Sequence, residues 1–279
     1  MTDLRSTIEP AAAATEDGDP WHRWRVAPDS GFEVRNRRGD LGLVQIDRKR
    51  FLVETEFRFA DEAVVTTLTE RLVRDGVPLD EARQAVDDAR TFTPRDENPT
   101  DLASIPRYMR WFESAYGAHT LAAIIHDDLI QDTPNPPPLR KDTLADRFFR
   151  EMMKSAGVPW LKRWIMWSAV ALRSRWAVGG IRRLSVLAWL LLSATGITSF
   201  VWAVGSLAFD WGGPFDTAAL LLFALVLPVA AAGLWGHQYG AGIVAAIAAL
   251  WILPAAVLAG LGYVIYLGLE RAADAIGLD

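Results

Sequence analysis

Residues 184–209 read LSVLAWLLLSATGITSFVWAVGSLAF, residues 217–235 read TAALLLFALVLPVAAAGLW, and residues 241–269 read AGIVAAIAALWILPAAVLAGLGYVIYLGL. Across Leu184 to Leu269 there are two formally charged side chains, Asp210 and Asp216, and they bracket one short Trp-Gly-Gly-Pro-Phe turn. A hydrocarbon core of about 30 Å takes roughly 20 helical residues at 1.5 Å each. The stretch is therefore expected to form three transmembrane helices, at 184–209, 217–235 and 241–269. Within them there is no Lys, Arg, Asp or Glu. Intramembrane ionisable residues are what mark transport and proton pathways, so a channel or transporter is not the expected role.

Outward from these spans, the flank before Leu184 carries Lys162, Arg163, Arg173, Arg175, Arg182 and Arg183. Cytoplasmic flanks collect Lys and Arg, which places the preceding domain in the cytoplasm of a multi-pass protein of the cell membrane. Residues 159–183 read as an amphipathic juxtamembrane helix in which Trp160, Trp164 and Trp167 share one face. Those tryptophans either pack on the domain core or lie among lipid headgroups. Residues 270–279 form an acidic tail.

Of 29 Lys+Arg and 34 Asp+Glu in the chain, Arg271 on one side and Asp210, Asp216, Glu270, Asp274 and Asp279 on the other lie beyond Arg183. The preceding part thus holds 28 against 29. Balanced, interspersed charge gives no basic footprint for nucleic acid, which is not expected as a partner; the lipid bilayer is, with a protein partner or a second copy of the chain beside it. With no cysteine in the 279 residues, disulfides, thiolate metal sites and thiol nucleophiles are excluded.

The fold class expected for the front part is α+β. Residues 1–22 lack the apolar core of a signal peptide and read as a disordered tail. Residues 23–158 form the domain. Phe32 to Arg35, Leu41 to Ile46 and Arg50 to Phe59 carry β-prone residues separated by polar turns, which predicts a small antiparallel sheet. At 61–90 the period changes: Val64, Val65, Leu68, Leu72 and Val73 recur at three and four, and a Gly76-Val77-Pro78 break precedes a second helix. This helical hairpin reads as an insertion. Helices are expected at 108–114, 119–129 and 141–156, with a proline-rich connector at 132–138 and a helix stop at Gly157.

Candidate chemistry centres on His126 and Asp127, which follow the apolar run Leu121 to Ile125, and on Asp146 in Ala145-Asp146-Arg147-Phe148-Phe149. Ionisable groups presented from a buried helix need a partner or a cation, because burial alone costs several kcal/mol. Two arrangements read from the residues satisfy that need. His126, Asp127 and Asp146 can form a buried polar network, with Asp101 capping the helix or turn that follows it and Ser104 before Pro106 at a helix start; or His119, His126, Asp127 and Asp146 can hold a divalent transition-metal cation.

The stretches Thr100-Asp101-Leu102-Ala103-Ser104-Ile105-Pro106, His126-Asp127, Ala145 to Phe149 and Gly157-Val158 resemble, in motif, order and spacing, the uncharacterised bacterial and phage family known as domain of unknown function 1353. The resemblance covers about residues 32–178 and brings no established activity. A second, local similarity is to secreted phospholipases A2, whose helix ends in His-Asp and faces a helix bearing Asp. That similarity implies His126 as general base, Asp127 as a calcium ligand and Asp146 as the carboxylate that orients the histidine; it lacks the upstream Gly-rich calcium loop, and Ile130 stands where that family has an aromatic residue. The expected role is a membrane-anchored interaction or structural module, with a lipid or ester hydrolase as the alternative.

Overall fold

The protein is described by a computed structural model, which covers residues 8–10, 21–27, 29–35, 40–46, 50–94, 100, 117–130, 143–209 and 216–275. The chain divides into two compact units. One comprises Met1–Ile105 with Glu113–Trp167, the other Pro106–Phe112 with Ser168–Asp279.

The first unit is α+β and holds two small antiparallel sheets where the sequence predicts one. Strands β1 (Ile8–Pro10), β2 (Trp21–Val26), β4 (Asp40–Gln45) and β5 (Phe51–Val53) make a sheet in the order β1-β2-β4-β5, while β3 (Phe32–Val34), β6 (Phe57–Phe59) and β7 (Thr91–Phe92) make a second in the order β3-β6-β7. Ile8–Pro10, inside the stretch expected to be a disordered tail, is thus a strand, pairing with β2 in the register Ile8 to Val26. Its proline sits where an edge strand tolerates the missing N–H.

The run Arg50 to Phe59 splits because Glu54-Thr55-Glu56 turns back on β4. Gly42 N donates to Thr55 Oγ1 at 2.8 Å and Glu54 N donates to Gly42 O at 2.9 Å. Beyond that turn the alternation of Phe57, Arg58 and Phe59 works as expected. Both phenylalanines are fully buried, and Arg58 faces Glu33 across the strand pair at 2.9 Å.

Helices α1 (Glu62–Arg74) and α2 (Leu79–Ala89) form the insertion. Gly76, at φ +93°, takes the left-handed turn between them that a side chain resists. Because β6 and β7 pair with each other, the two ends of the insertion are held side by side, and Arg90 closes its base with ion pairs to Glu62 at 2.6 Å and Asp87 at 2.7 Å. Two further helices, α3 (Thr120–Ile130) and α4 (Thr143–Ser155), complete this unit's described core together with the first turns of α5 (Trp160–Val178). A chain of aromatic rings ties sheet to helix: Phe32 lies 5.4 Å from Phe59, and Phe59 meets Phe148 of α4 edge-on at 5.6 Å. Each buried phenylalanine contributes roughly 1.5–3 kcal/mol, so this row dominates the packing.

The tryptophans of α5 differ in how they pack. Trp167 is buried, and the Arg150 guanidinium lies 4.8 Å from the Trp164 ring and 4.6 Å from the Trp167 ring. Trp160 is 62% exposed.

The second unit is helical: α6 (Gly180–Phe209), α7 (Thr217–Ala231), a 3-10 segment (Ala232–Gln238) and α8 (Tyr239–Ala275). Among the described residues, two helical stretches, Gly180–Phe209 and Thr217–Ala249, are long and apolar enough to cross a membrane, rather than the three expected. The second stretch takes in α7, which at 15 residues rises about 22 Å, the 3-10 segment and the start of α8.

Gly196 lets α6 and α7 touch, since a Cβ there would stand 2.6 Å from Pro228 Cγ. The backbone break at Gly236, with φ +56°, is served by a buried arginine. Arg175 donates through Nη1 to the Trp235 carbonyl at 2.9 Å and through Nη2 to the Leu234 carbonyl at 3.2 Å and to Ser185 Oγ at 3.0 Å.

Candidate functional site

Helix α3 is apolar on nearly every side, so Thr120 to His126 are all buried, as is Leu129. A helix of that kind has no solvent face to give its histidine. Instead His126 meets α4: its Nε2–H donates to Asp146 Oδ1 at 3.0 Å, with the carboxylate as acceptor fixing the proton on Nε2. Asp146 is in the first turn of α4, where the helix dipole favours a negative charge. Phe149, one turn on, lays its ring 5.1 Å from the imidazole. The two successive phenylalanines of α4 therefore have separate tasks, Phe148 against the sheet and Phe149 against the histidine.

Of the sequence-predicted residues, His126 and Asp146 are thus brought together and sealed, His126 at 3% exposure and Asp146 at 0%. Asp127, one residue on, is turned about 100° around α3 and is half-buried. Among the described residues no group of three or more His, Asp or Glu side chains is placed to hold a metal ion. Asp101, Ser104 and Pro106 lie outside the described residues, as do the helix expected at 108–114 and the connector at 132–138. The motif's first residue, Thr100, is described: it exchanges backbone hydrogen bonds with Phe51, Phe51 N to Thr100 O at 2.8 Å and Thr100 N to Phe51 O at 2.9 Å. The motif thus starts on the edge of β5.

Where α1 and α4 face each other there is a cleft of about 450 Å³, which sequence reading did not single out. Its walls carry Arg71 and Arg74 from α1 and Arg147 and Lys154 from α4, with Asp61 and Glu151 as the carboxylates. Asp61 caps α1, accepting from Ala63 N and Val64 N, and accepts the Ser155 hydroxyl proton at 2.6 Å. The Ser155 hydrogen bond, aided by those backbone groups and Lys154, holds the Asp61 carboxyl below its ordinary range. Burial, and then the charges of Arg71 and Arg150, draw Arg147 down from the usual arginine value, though it stays cationic. The signal for this cluster was present as arginines three apart on one helix and a cation pair seven apart on another. Nothing in the sequence said that the two faces meet.

Residues 79–170 match a family model. It is DUF1353, described as a protein of unknown function. The match takes in α2, β7, α3, α4 and the start of α5, about a third of the chain, and supports the family resemblance on the residues that hold the His126–Asp146 pair. No curated protein and no solved structure matches the chain, and the similarity to phospholipases A2 is not shown.

Proposed function

We propose that the chain is a membrane-anchored protein whose α+β unit serves as an interaction or structural module at the inner face of the membrane. One observation carries this reading: the helices of the second unit turn large apolar side chains outward, with Leu191 70%, Phe209 72%, Leu222 64% and Leu258 71% exposed. A water-soluble surface does not sustain a patch of that extent, whereas hydrocarbon is its natural solvent. The closed His126–Asp146 pair supports a module rather than an enzyme. A hydrolase built on His126 needs its imidazole open to water and ester, and a ring at 3% exposure supports the polar network instead.

Extraction tests the anchor. Membranes from cells expressing the full chain, washed at high pH in carbonate, are expected to retain the protein, and detergent to release it. Recovery of the chain in the carbonate supernatant overturns the anchor.

A further inference from the structure

We propose that the cleft between α1 and α4 is a binding site for a phosphate-bearing anion, gripped by Arg71, Arg74, Arg147 and Lys154. The site stands on the first unit alone; its lipid-headgroup occupant and the use of nanodiscs rest on the anchoring reading, which carbonate extraction tests separately.

Four cations converge on about 450 Å³, and the two carboxylates that share the walls are already engaged. Asp61 is occupied by the Ser155 hydroxyl and the first amides of α1, and Glu151 by Arg150 at 2.9 Å. Arg150 is itself stacked on Trp164 and Trp167, so it adds to the field without being free to move. Among the described residues neither Arg71 nor Arg147 forms an ion pair, and Arg71 Nε is buried with no hydrogen-bond partner. A buried donor left without an acceptor is unfavourable, and neighbouring like charges repel, so the arrangement is one that an anion completes.

The chemistry of the donors selects phosphate. Guanidinium groups present parallel N–H pairs that match two oxygens of a tetrahedral oxyanion, and several of them on facing helices suit a group carrying more than one negative charge. Arg71 and Arg74 are one turn apart on α1, and Arg147 and Lys154 two turns apart on α4, so each helix supplies one row of donors. The volume fits a small phosphorylated molecule or a lipid headgroup, not a folded partner.

The test uses the full chain in phosphatidylcholine nanodiscs at low salt, titrated with inorganic pyrophosphate and read by calorimetry and by the melting temperature. Saturable binding that raises the melting temperature and weakens with added salt is expected. Arg147→Gln should weaken it about tenfold, as loss of a charge-assisted donor group does, without lowering the melting temperature of the unliganded protein. Arg71→Gln should act in the same direction, and Arg83→Gln, at an exposed position of α2, should leave the affinity unchanged. Repeating the titration in discs containing phosphatidylglycerol separates the sources. A lowered apparent affinity for pyrophosphate that Arg147→Gln removes identifies the lipid headgroup as the occupant, and an unchanged one identifies a free phosphorylated molecule. Absence of saturable binding in phosphatidylcholine discs, or equal affinity in the wild type and Arg147→Gln, overturns the site.

Discussion

Taking away one member of the His126–Asp146 pair strands the other in a place water does not reach. Breaking a buried pair in this way costs on the order of 3–5 kcal/mol, against less than half of that for an exposed one. Asp146→Ala is therefore expected to lower the melting temperature severely. Asp146→Asn should be much milder, because an amide oxygen at the same place still accepts the Nε2–H of His126. Thermal melts of the two variants, followed by tryptophan fluorescence, check this ordering; equal losses would mean that charge rather than the hydrogen bond holds the histidine. The pair's members were legible in the sequence, since an apolar run ending in His-Asp forces a buried imidazole to find a partner. Burial alone left the choice between Asp127 and Asp146 open, because it depends on how α4 is rotated against α3, and only the local similarity to phospholipases A2 implied Asp146.

Helix ends decide the next level. Asp61 starts α1 and at the same time receives Ser155 from the end of α4, so one carboxylate ties together two helices that are 94 residues apart at these positions. Ser155→Ala is expected to cost about 1 kcal/mol, in the range of a lost cap or net hydrogen bond. The pH dependence has a definite sign. A carboxyl held below its ordinary value of 3.8 contributes stability that is complete above about pH 4 and is lost as the pH falls through the lower folded value. Melting temperatures taken between pH 2.5 and 6 should thus fall toward acid, and Ser155→Ala should flatten that fall; an identical slope in both proteins would remove Asp61 from the account. Element type was well marked in the sequence. The insertion at 61–90 and the stop at Gly157 were readable because Gly76 and Gly157 sit at left-handed turns, φ +93° and +75°, and Gly157 N and Val158 N close α4 by donating to Lys154 O and Met153 O. The division into two sheets was not readable, for the turn at Glu54 to Glu56 depends on hydrogen bonds to Gly42, a dozen residues away in another strand.

At the scale of the whole molecule, the proposed cytoplasmic side of the first unit rests on the Lys and Arg between Lys162 and Arg183, residue types that cytoplasmic flanks collect. Protease added to inverted vesicles is expected to digest residues 1–180, while right-side-out vesicles protect them. Digestion from the outer face would reverse the topology. The sequence by itself determined where the apolar stretches lie and where the helical insertion at 61–90 begins and ends, because hydropathy and periodicity are properties of neighbours in the chain, whereas the strands at Ile8–Pro10 and Thr91–Phe92 became visible only through their pairing. It determined the candidates His126, Asp127 and Asp146 for the same reason, and the family match later fell on that region. Tertiary structure alone decided that the buried His126 takes Asp146 as its hydrogen-bond partner, and that α7 ends after 15 residues. It alone gathered Arg71, Arg74, Arg147 and Lys154 around one cleft in a domain whose overall charge is nearly balanced. Charge summed along a chain carries no information about which helix faces meet; that depends on packing between residues some 70 to 90 positions apart, where the burial of Phe148 and its neighbours, not local pattern, sets the geometry.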